Sequence, residues 1–177
     1  MENIDYENFV GIEVVRKIVV NRPADDLYRF WRGLDNLPEI MGGLKSITVL
    51  DEKRSHWVMV GPFGKKIEWD SELAEDVPNR ELGWRTVGKS DIHSTGVIGF
   101  SPCPDGRSTE VKLRLKYEPP GGRLGFALAK LFGRKPVRQV EESLRKFKKI
   151  MENSWDRSTV EDDICLSAYS CCAAVEK

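Results

Sequence analysis

The sequence predicts an α+β fold: a seven-stranded antiparallel sheet curled around one long C-terminal helix, with two short helices after the first strand. Three features of the 177 residues predict this fold. Short segments of alternating apolar and polar residues recur with turn residues between them, as is typical of antiparallel strands joined in order. A pattern of helical period follows the last of these segments. Two short helical patterns follow the first strand.

The first strand and the two short helices are predicted between residues 14 and 41. β-branched residues from Val14 to Val20 predict the strand. Pro23 suits the first turn of the helix that follows, and two acidic residues after it suit the positive end of that helix. Gly33 ends the helix, whose apolar residues Leu27, Phe30 and Trp31 recur at helical spacing. A second short helix is predicted from Asp35 to Met41.

Six further strands are predicted, each ended by a turn rich in Gly, Pro, Asn or Asp. They are Ile47 to Leu50, His56 to Val60, Lys66 to Ala74, Leu82 to Thr86, His93 to Phe100 and Val111 to Tyr117. Alternation is clearest in the third and the last of these. In the third, one face carries Ile67, Trp69, Ser71 and Leu73, and in the last it carries Val111, Leu113, Leu115 and Tyr117. Such strands have one buried and one wet face.

A long amphipathic helix is predicted after the last strand. Its apolar stripe consists of Leu124, Leu128, Leu131, Phe132, Val140, Leu144, Phe147 and Met151. Pro136 falls on the same stripe, so we expect a kink or break there. The pattern is lost after Asn153. We therefore expect a flexible N-terminus over residues 1–9, one domain over residues 10–153 and a disordered tail over residues 154–177.

Composition limits the class of protein. Apolar residues make up 40% of the chain, and 28 basic residues balance 28 acidic ones. We expect no nucleic-acid partner, because proteins that bind nucleic acid usually carry a basic excess. No apolar run approaches the ~20 residues of a membrane span. The N-terminus lacks the order of a signal peptide, so we expect a cytoplasmic protein.

The four cysteines and two histidines predict neither a metal site nor a disulfide. No cysteine pair has C-x-x-C spacing, and Cys165, Cys171 and Cys172 lie in the last thirteen residues. Unpaired thiols are typical of a reducing compartment. We expect no metal and no cofactor.

Several stretches of the chain resemble a known family. It is similar to the START-like, helix-grip (SRPBCC) superfamily, within its polyketide cyclase/dehydrase and coenzyme-Q-binding branch. The resemblance covers roughly residues 10–152, and no single motif in it is highly specific. The stretches that carry it are IVVNRPADDLYRFW from Ile18, DNLPEIM from Asp35, IEWDSELAEDVPNRELGWRTVG from Ile67, HSTGVIGFSP from His93, TEVKLRLKYEPPGG from Thr109 and SLRKFKKIME from Ser143.

The resemblance implies a cavity under the long helix that receives an apolar or amphipathic small molecule. The apolar strand faces and the helix carry the residues we expect to bind it, although ordinary core packing is an alternative for any one of them. These residues are Trp57, Met59, Trp69, Trp84, Phe100, Leu113, Leu115, Tyr117, Leu128 and Phe132. Trp69 and Trp84 are the stronger candidates because a buried indole N–H needs a polar partner.

Two classes of function stay open. The first is a carrier or sensor of a lipid, a quinone or an aromatic polyketide-like molecule. The second is a cyclase or dehydratase that uses polar groups of the same cavity. His93 is a candidate general base or ligand contact, with a solvent-facing role as its alternative. Alternation places Asp70 and Arg85 on the outer face, which argues against such catalysis.

The long helix is basic in its C-terminal half. One interpretation is peripheral contact with anionic lipid, and the other is a solvated helix face whose last lysines suit the helix dipole. The basic residues are Arg134, Lys135, Arg138, Arg145, Lys146, Lys148 and Lys149.

Overall fold

Seven strands and three helices make up the part of the chain that the computed structural model describes, residues 12–61, 64–118 and 137–153. The strands are β1 (Ile12–Val20), β2 (Leu44–Val49), β3 (Arg54–Val60), β4 (Lys66–Val77), β5 (Glu81–Val87), β6 (His93–Pro102) and β7 (Thr109–Glu118). The helices are α1 (Ala24–Arg32), α2 (Leu37–Ile40) and α3 (residues 137–153). The expected flexible N-terminus and disordered tail lie outside the described residues.

All seven strands form one antiparallel sheet in the order β1-β7-β6-β5-β4-β3-β2. Consecutive strands from β2 to β7 are neighbours, and the segment containing α1 and α2 carries the chain from β1 at one edge to β2 at the other. The predicted fold is therefore confirmed. β4 extends to Val77, beyond the predicted Ala74, because a bulge between Leu73 and Glu75 shifts its register and lets it continue alongside β5.

The segment after β1 folds as α1, a short 3-10 turn (Leu34–Asn36) and α2. For the part after α1, the sequence predicts a single helix from Asp35 to Met41. Pro38 accounts for the difference. It has no amide proton to donate to the Leu34 carbonyl, as a continuous α-helix would require. The Leu37 amide donates to that carbonyl instead, which closes a 3-10 turn.

α3 covers the inner face of the sheet, which we define as the face that carries the helices. Its residues Leu144, Phe147 and Met151 are buried. The Phe147 ring is completely buried and packs against two rings of α1, with centroids 5.1 Å from Phe30 and 5.5 Å from Trp31. The earlier part of the predicted helix, including the expected kink at Pro136, lies outside the described residues.

The C-terminal end of α3 is tied to the edge strand β1. The buried Arg22 side chain donates from Nε to the Met151 carbonyl at 2.8 Å, and the Thr109 hydroxyl donates to the Arg22 carbonyl at 2.7 Å. Lys148 Nζ donates to the Val19 carbonyl at 2.7 Å. The Arg22 bond thus satisfies a carbonyl in the last turn of α3, and the Lys148 bond satisfies a carbonyl of the edge strand β1.

The outer face of the sheet is wet and carries cross-strand ion pairs. His56 of β3 lies opposite Asp70 of β4, with Nδ1 2.7 Å from Oδ1, and its Nε2 lies 3.4 Å from Glu68. Arg85 of β5 donates to Glu72 at 3.1 Å. On α3, Arg138, Arg145, Lys146 and Lys149 are exposed. Contact of this basic face with lipid stays a prediction.

Within the described residues, no helix is long and apolar enough to cross a membrane.

Replacing Phe147 with alanine should lower the free energy of unfolding by about 3–5 kcal/mol, because it empties a fully packed ring site between α3 and α1. Urea denaturation followed by circular dichroism measures the change. Arg145→Ala, an exposed substitution two residues earlier, is the control and should change it by less than about 0.5 kcal/mol. Equal effects of the two substitutions would contradict docking of the helix through Phe147.

His56 should titrate above its ordinary pKa of 6.5, because the Asp70 carboxylate, and less strongly Glu68, stabilise its protonated ring. Since the folded pKa is raised, this pair stabilises the fold at pH values below 6.5 and loses its effect as pH rises through the raised pKa. NMR titration of the imidazole measures the shift. Asp70→Asn should bring the pKa down, whereas Asp35→Asn, a loss of the same charge elsewhere, should leave it in place.

Candidate functional site: a cavity between sheet and helix

A cavity of about 370 Å³ lies between the inner face of the sheet and α3. This is more than twice the roughly 150 Å³ that holds a benzene molecule in a protein core, and within the range of small-molecule sites. Strands β3 to β7 form its floor, and residues of α1 and α3 contribute the opposite walls. The alternation of each strand explains the floor, because every second residue faces inward.

Two tryptophans form a flat wall at the β3–β4 side. Trp57 and Trp69 are register partners, and their rings stack with centroids 5.6 Å apart and planes 21° apart. The Trp57 indole N–H donates to the Ser55 hydroxyl at 2.9 Å. This bond satisfies the Trp57 indole and fixes its ring beside Trp69 in the lining of the cavity.

A third tryptophan lies in a notch in the neighbouring strand. Trp84 of β5 pairs with Gly96 of β6, and its indole covers that glycine. A Cβ atom at Gly96 would lie 2.3 Å from Cζ2 of the indole, far inside contact distance. The missing side chain at residue 96 therefore makes the space that the Trp84 ring fills.

The cavity brings together most of the residues that the sequence singled out. Its lining includes Trp57, Met59, Trp69, Trp84, Leu113, Leu115 and Tyr117. Phe100 shares their face of the sheet but lies outside this lining, since Tyr28 of α1 packs edge-on against its ring at 6.3 Å. Leu128 and Phe132 lie outside the described residues. Ligand contact by these side chains stays a prediction.

Other wall residues were not predicted as part of the site. Trp31 and Leu34 contribute from the α1 end, Val140 and Ser143 from α3. Helical periodicity marks Trp31 as buried but does not separate a core position from a cavity wall. Inward-facing hydroxyl residues also line the cavity: Ser55, Ser71 and Ser94. Alternation placed Ser71 on the inner face, and this was the available signal for its role.

Charged residues lie at the rim of the cavity. All six that line it are exposed: Arg32, Asp35, Asp51, Glu52, Lys53 and Arg54. The other lining groups among the described residues are apolar, amide, hydroxyl or indole groups. His93 is exposed, and Asp70 and Arg85 form ion pairs on the outer face, so none of these three candidates lines the cavity.

Two buried polar atoms of the wall have no hydrogen-bond partner among the described residues: the Trp31 indole nitrogen and the Tyr117 hydroxyl. Burial raises the pKa of the Tyr117 hydroxyl above its ordinary value of 10.0, so the group keeps its proton at neutral pH. Each atom is thus a hydrogen-bond donor held in the wall of an apolar site. A buried donor without a partner costs on the order of 1–3 kcal/mol.

In the described part of the chain, no group of three or more histidine, cysteine or acidic residues is arranged to hold a metal ion. Cys103 is unpaired and half-buried, and the other three cysteines lie outside the described residues.

Comparison with known proteins identifies a matching family and a similar bacterial protein. The family model for polyketide cyclase / dehydrase and lipid transport matches residues 20–145. A curated protein of Streptomyces lincolnensis, described as an uncharacterized 17.2 kDa protein in the melC2-rnhH intergenic region, is 29% identical over 146 residues, covering 79% of this chain and 89% of that protein.

Solved structures with the same fold include proteins from two further bacteria. A Deinococcus radiodurans protein is 33% identical with a TM-score of 0.65, covering 81% of this chain and 99% of that one. The Zhui aromatase/cyclase from Streptomyces sp. R1128 is 16% identical with a TM-score of 0.64, covering 80% of this chain and 93% of that one, a likeness of fold alone. From the family match and the shared architecture, this chain belongs to the polyketide cyclase / dehydrase and lipid transport family.

Proposed function

We propose that this protein binds a hydrophobic small molecule in the cavity between sheet and C-terminal helix, and acts as its carrier or sensor. The observation that carries the proposal is the cavity itself, with three tryptophans on its floor and its charged groups confined to the rim. Such a site suits a flat or apolar ligand. A polar group on that ligand would find few polar partners inside the cavity. The membership of the chain in a family of cyclases, dehydrases and lipid transporters supports it.

Burial of the ligand supplies the driving force. Each 100 Å² of apolar ligand surface removed from water contributes about 2.5 kcal/mol before the entropic cost of binding. The stacked pair Trp57 and Trp69 adds dispersion and quadrupole contacts for an aromatic ring. Shape and apolarity then determine which ligands fit.

The alternative function is conversion of the ligand by a cyclase or dehydratase, as the family description also allows. Binding is favoured because the acidic and basic groups of the lining are solvent-exposed at the rim, where water weakens their effect on a buried substrate. Mass spectrometry of the ligand recovered after incubation separates the two. A carrier returns the ligand unchanged. A dehydratase returns a product lighter by one water, and a cyclase returns an isomer of equal mass that chromatography before the mass spectrometer separates from the ligand.

Titration with a quinone, a fatty acid and a flat aromatic should change the tryptophan fluorescence of the protein for at least one ligand, because indoles line the site. Trp84→Ala should weaken that binding by about tenfold or more, equivalent to roughly 1.4 kcal/mol or more, since it removes a wall of the cavity. Circular dichroism confirms that this variant is folded.

Arg145→Ala is the matched control for this experiment. It lies on the exposed side of α3 and should leave the affinity unchanged. A lack of response to all three ligands up to about 100 μM, which corresponds to a binding free energy weaker than about 5.5 kcal/mol, would contradict the proposal.

A further inference from the structure

A second depression lies on the outer face of the sheet, opposite the cavity. It is a groove of about 620 Å³ lined by β6, β7 and the turn that joins β4 to β5. Val97 and Gly99 of β6 lie on its floor, and Lys112 and Arg114 of β7 and Arg80 of the turn lie along its sides. We call this depression the outer groove.

The floor of the outer groove is open because residue 99 is a glycine. Gly99 pairs with Lys112 on one side and with Glu81 on the other. Its φ is not positive, and a Cβ atom there would lie at an ordinary contact distance of 3.8 Å from the Arg80 carbonyl oxygen. Neither the backbone nor the packing therefore requires glycine at this position. A glycine inside a strand often marks a place where another backbone approaches closely.

Like charges face each other beside the outer groove. Lys17 of β1 and Lys112 of β7 are register partners, and both side chains are exposed on the outer face. Like charges directly opposite each other destabilise an antiparallel pair. Lys17 forms an ion pair with Glu110 at 2.8 Å, whereas Lys112 forms none with the described part of the chain. The ammonium group of Lys112 is therefore available to an anionic partner.

The rest of the outer groove combines cations with exposed apolar side chains. Arg80 and Arg114 are exposed, and Arg114 Nε lies 3.8 Å from Glu13. The acidic residues of the lining are Glu81 and Glu110, and the second already forms the ion pair described above. Three valines in or beside the groove are more than a third exposed: Val15, Val19 and Val77. A basic groove with apolar edges suits an acidic segment that also carries apolar side chains.

The C-terminal end of the chain contains a segment of this chemistry. Residues 160–166 read Val-Glu-Asp-Asp-Ile-Cys-Leu, three consecutive acidic residues between apolar ones. Residues 154–177 hold five acidic and two basic residues in all, which leaves 26 basic against 23 acidic residues in the rest of the chain. The two parts of the chain thus carry opposite net charge.

The end of α3 brings this segment within reach of the outer groove. Glu152 accepts a hydrogen bond from the Asn21 backbone N–H at 2.9 Å, so the helix ends beside the end of the edge strand β1. Two residues earlier on β1, Val19 pairs with Glu110 of the groove lining. Eight residues lead from Asn153 to the first acidic residue of the segment, and an extended chain of that length spans about 26 Å. This length is enough to pass round the edge strand to the outer face.

We propose that the outer groove is a docking site for the protein's own C-terminal segment, residues 160–166. The three acidic residues of the segment supply counter-charges to the facing lysines, and its apolar residues cover the exposed valines. Composition alone predicts a disordered tail, whereas the charge match predicts that this part of it binds to the sheet. The outer groove and the cavity lie on opposite faces, so the inference does not depend on the proposed function.

Carbodiimide cross-linking of the full chain tests the inference, because this reagent joins a carboxylate to a lysine amine in direct contact with it. At low salt, mass spectrometry should find residues 161–163 joined mainly to Lys17 and Lys112. Raising the salt to about 1 M, where the Debye length is about 3 Å, should lower the yield several-fold. Lys53 and Lys89 are exposed controls in other turns and should give few such links. Equal yields at all four lysines overturn the inference.

A charge swap separates docking in this groove from general attraction. Lys112→Glu should lower the yield of links from the segment to Lys17 about fivefold, since it replaces an exposed ion pair by a repulsion. Adding Asp162→Lys to that variant should restore at least half of the yield. Lys89→Glu is the charge-matched control and should change nothing. Equal effects of Lys112→Glu and Lys89→Glu, or no recovery in the double variant, contradict docking in the outer groove.

Mixing nitrogen-15-labelled and unlabelled protein before cross-linking identifies the source of the segment. Links in which both peptides carry the same isotope support docking within one molecule. An equal share of mixed-isotope links overturns the proposal in favour of docking between two copies of the chain. The absence of any link between residues 161–163 and the groove overturns docking altogether.

Discussion

The site at which Phe147 packs against α1 determines where the protein has a core and where it has a cavity. At this level of α3, the rings of Phe30 and Trp31 of α1 pack against Phe147, whose side chain is completely buried. One to two turns earlier, Val140 and Ser143 of the same helix face open volume. The same helix is therefore anchored by close packing near its C-terminal end and borders the cavity with its earlier turns. Trp31 belongs to both regions, since it contacts Phe147 and lines the cavity.

The second constraint is the register of the sheet. Antiparallel pairing places side chains from residues far apart in sequence in transverse rows, and each row has a distinct chemistry. Ser71 and Tyr117 are 46 positions apart in the chain, yet they belong to one row because β5 and β6 pair between their two strands in sequence order. A slip of one residue in any strand would turn its inward residues to the outer face. The bulge of β4 shifts the register against β5 only beyond Leu73, so Ser71 still pairs with Thr86.

Sequence reasoning predicted the fold well because turn residues separate the strands, β4 and β7 alternate clearly, and the meander needs few topological choices. The same alternation placed the floor residues of the cavity, including Trp69 and Leu115. It could not separate Phe100 from them, because what covers a residue on the inner face depends on how α1 packs. The side-by-side placement of Ser55, Ser71 and Thr86 could not be predicted for a similar reason. Alternation assigns a face to Ser71 within its own strand, but only pairing between strands shows that Ser55 and Thr86 lie beside it.

The notch at Gly96 has a consequence for how the cavity can change over a lineage or in a design. The indole of Trp84 occupies the position where a Cβ atom of residue 96 would lie. Residue 96 can therefore acquire a side chain only after residue 84 has become smaller, whereas residue 84 can shrink on its own. The order of the two mutations is thus constrained, and the first step enlarges the ligand space before the second refills it from the neighbouring strand. Such a pair allows the shape of the cavity to be altered while its volume is restored.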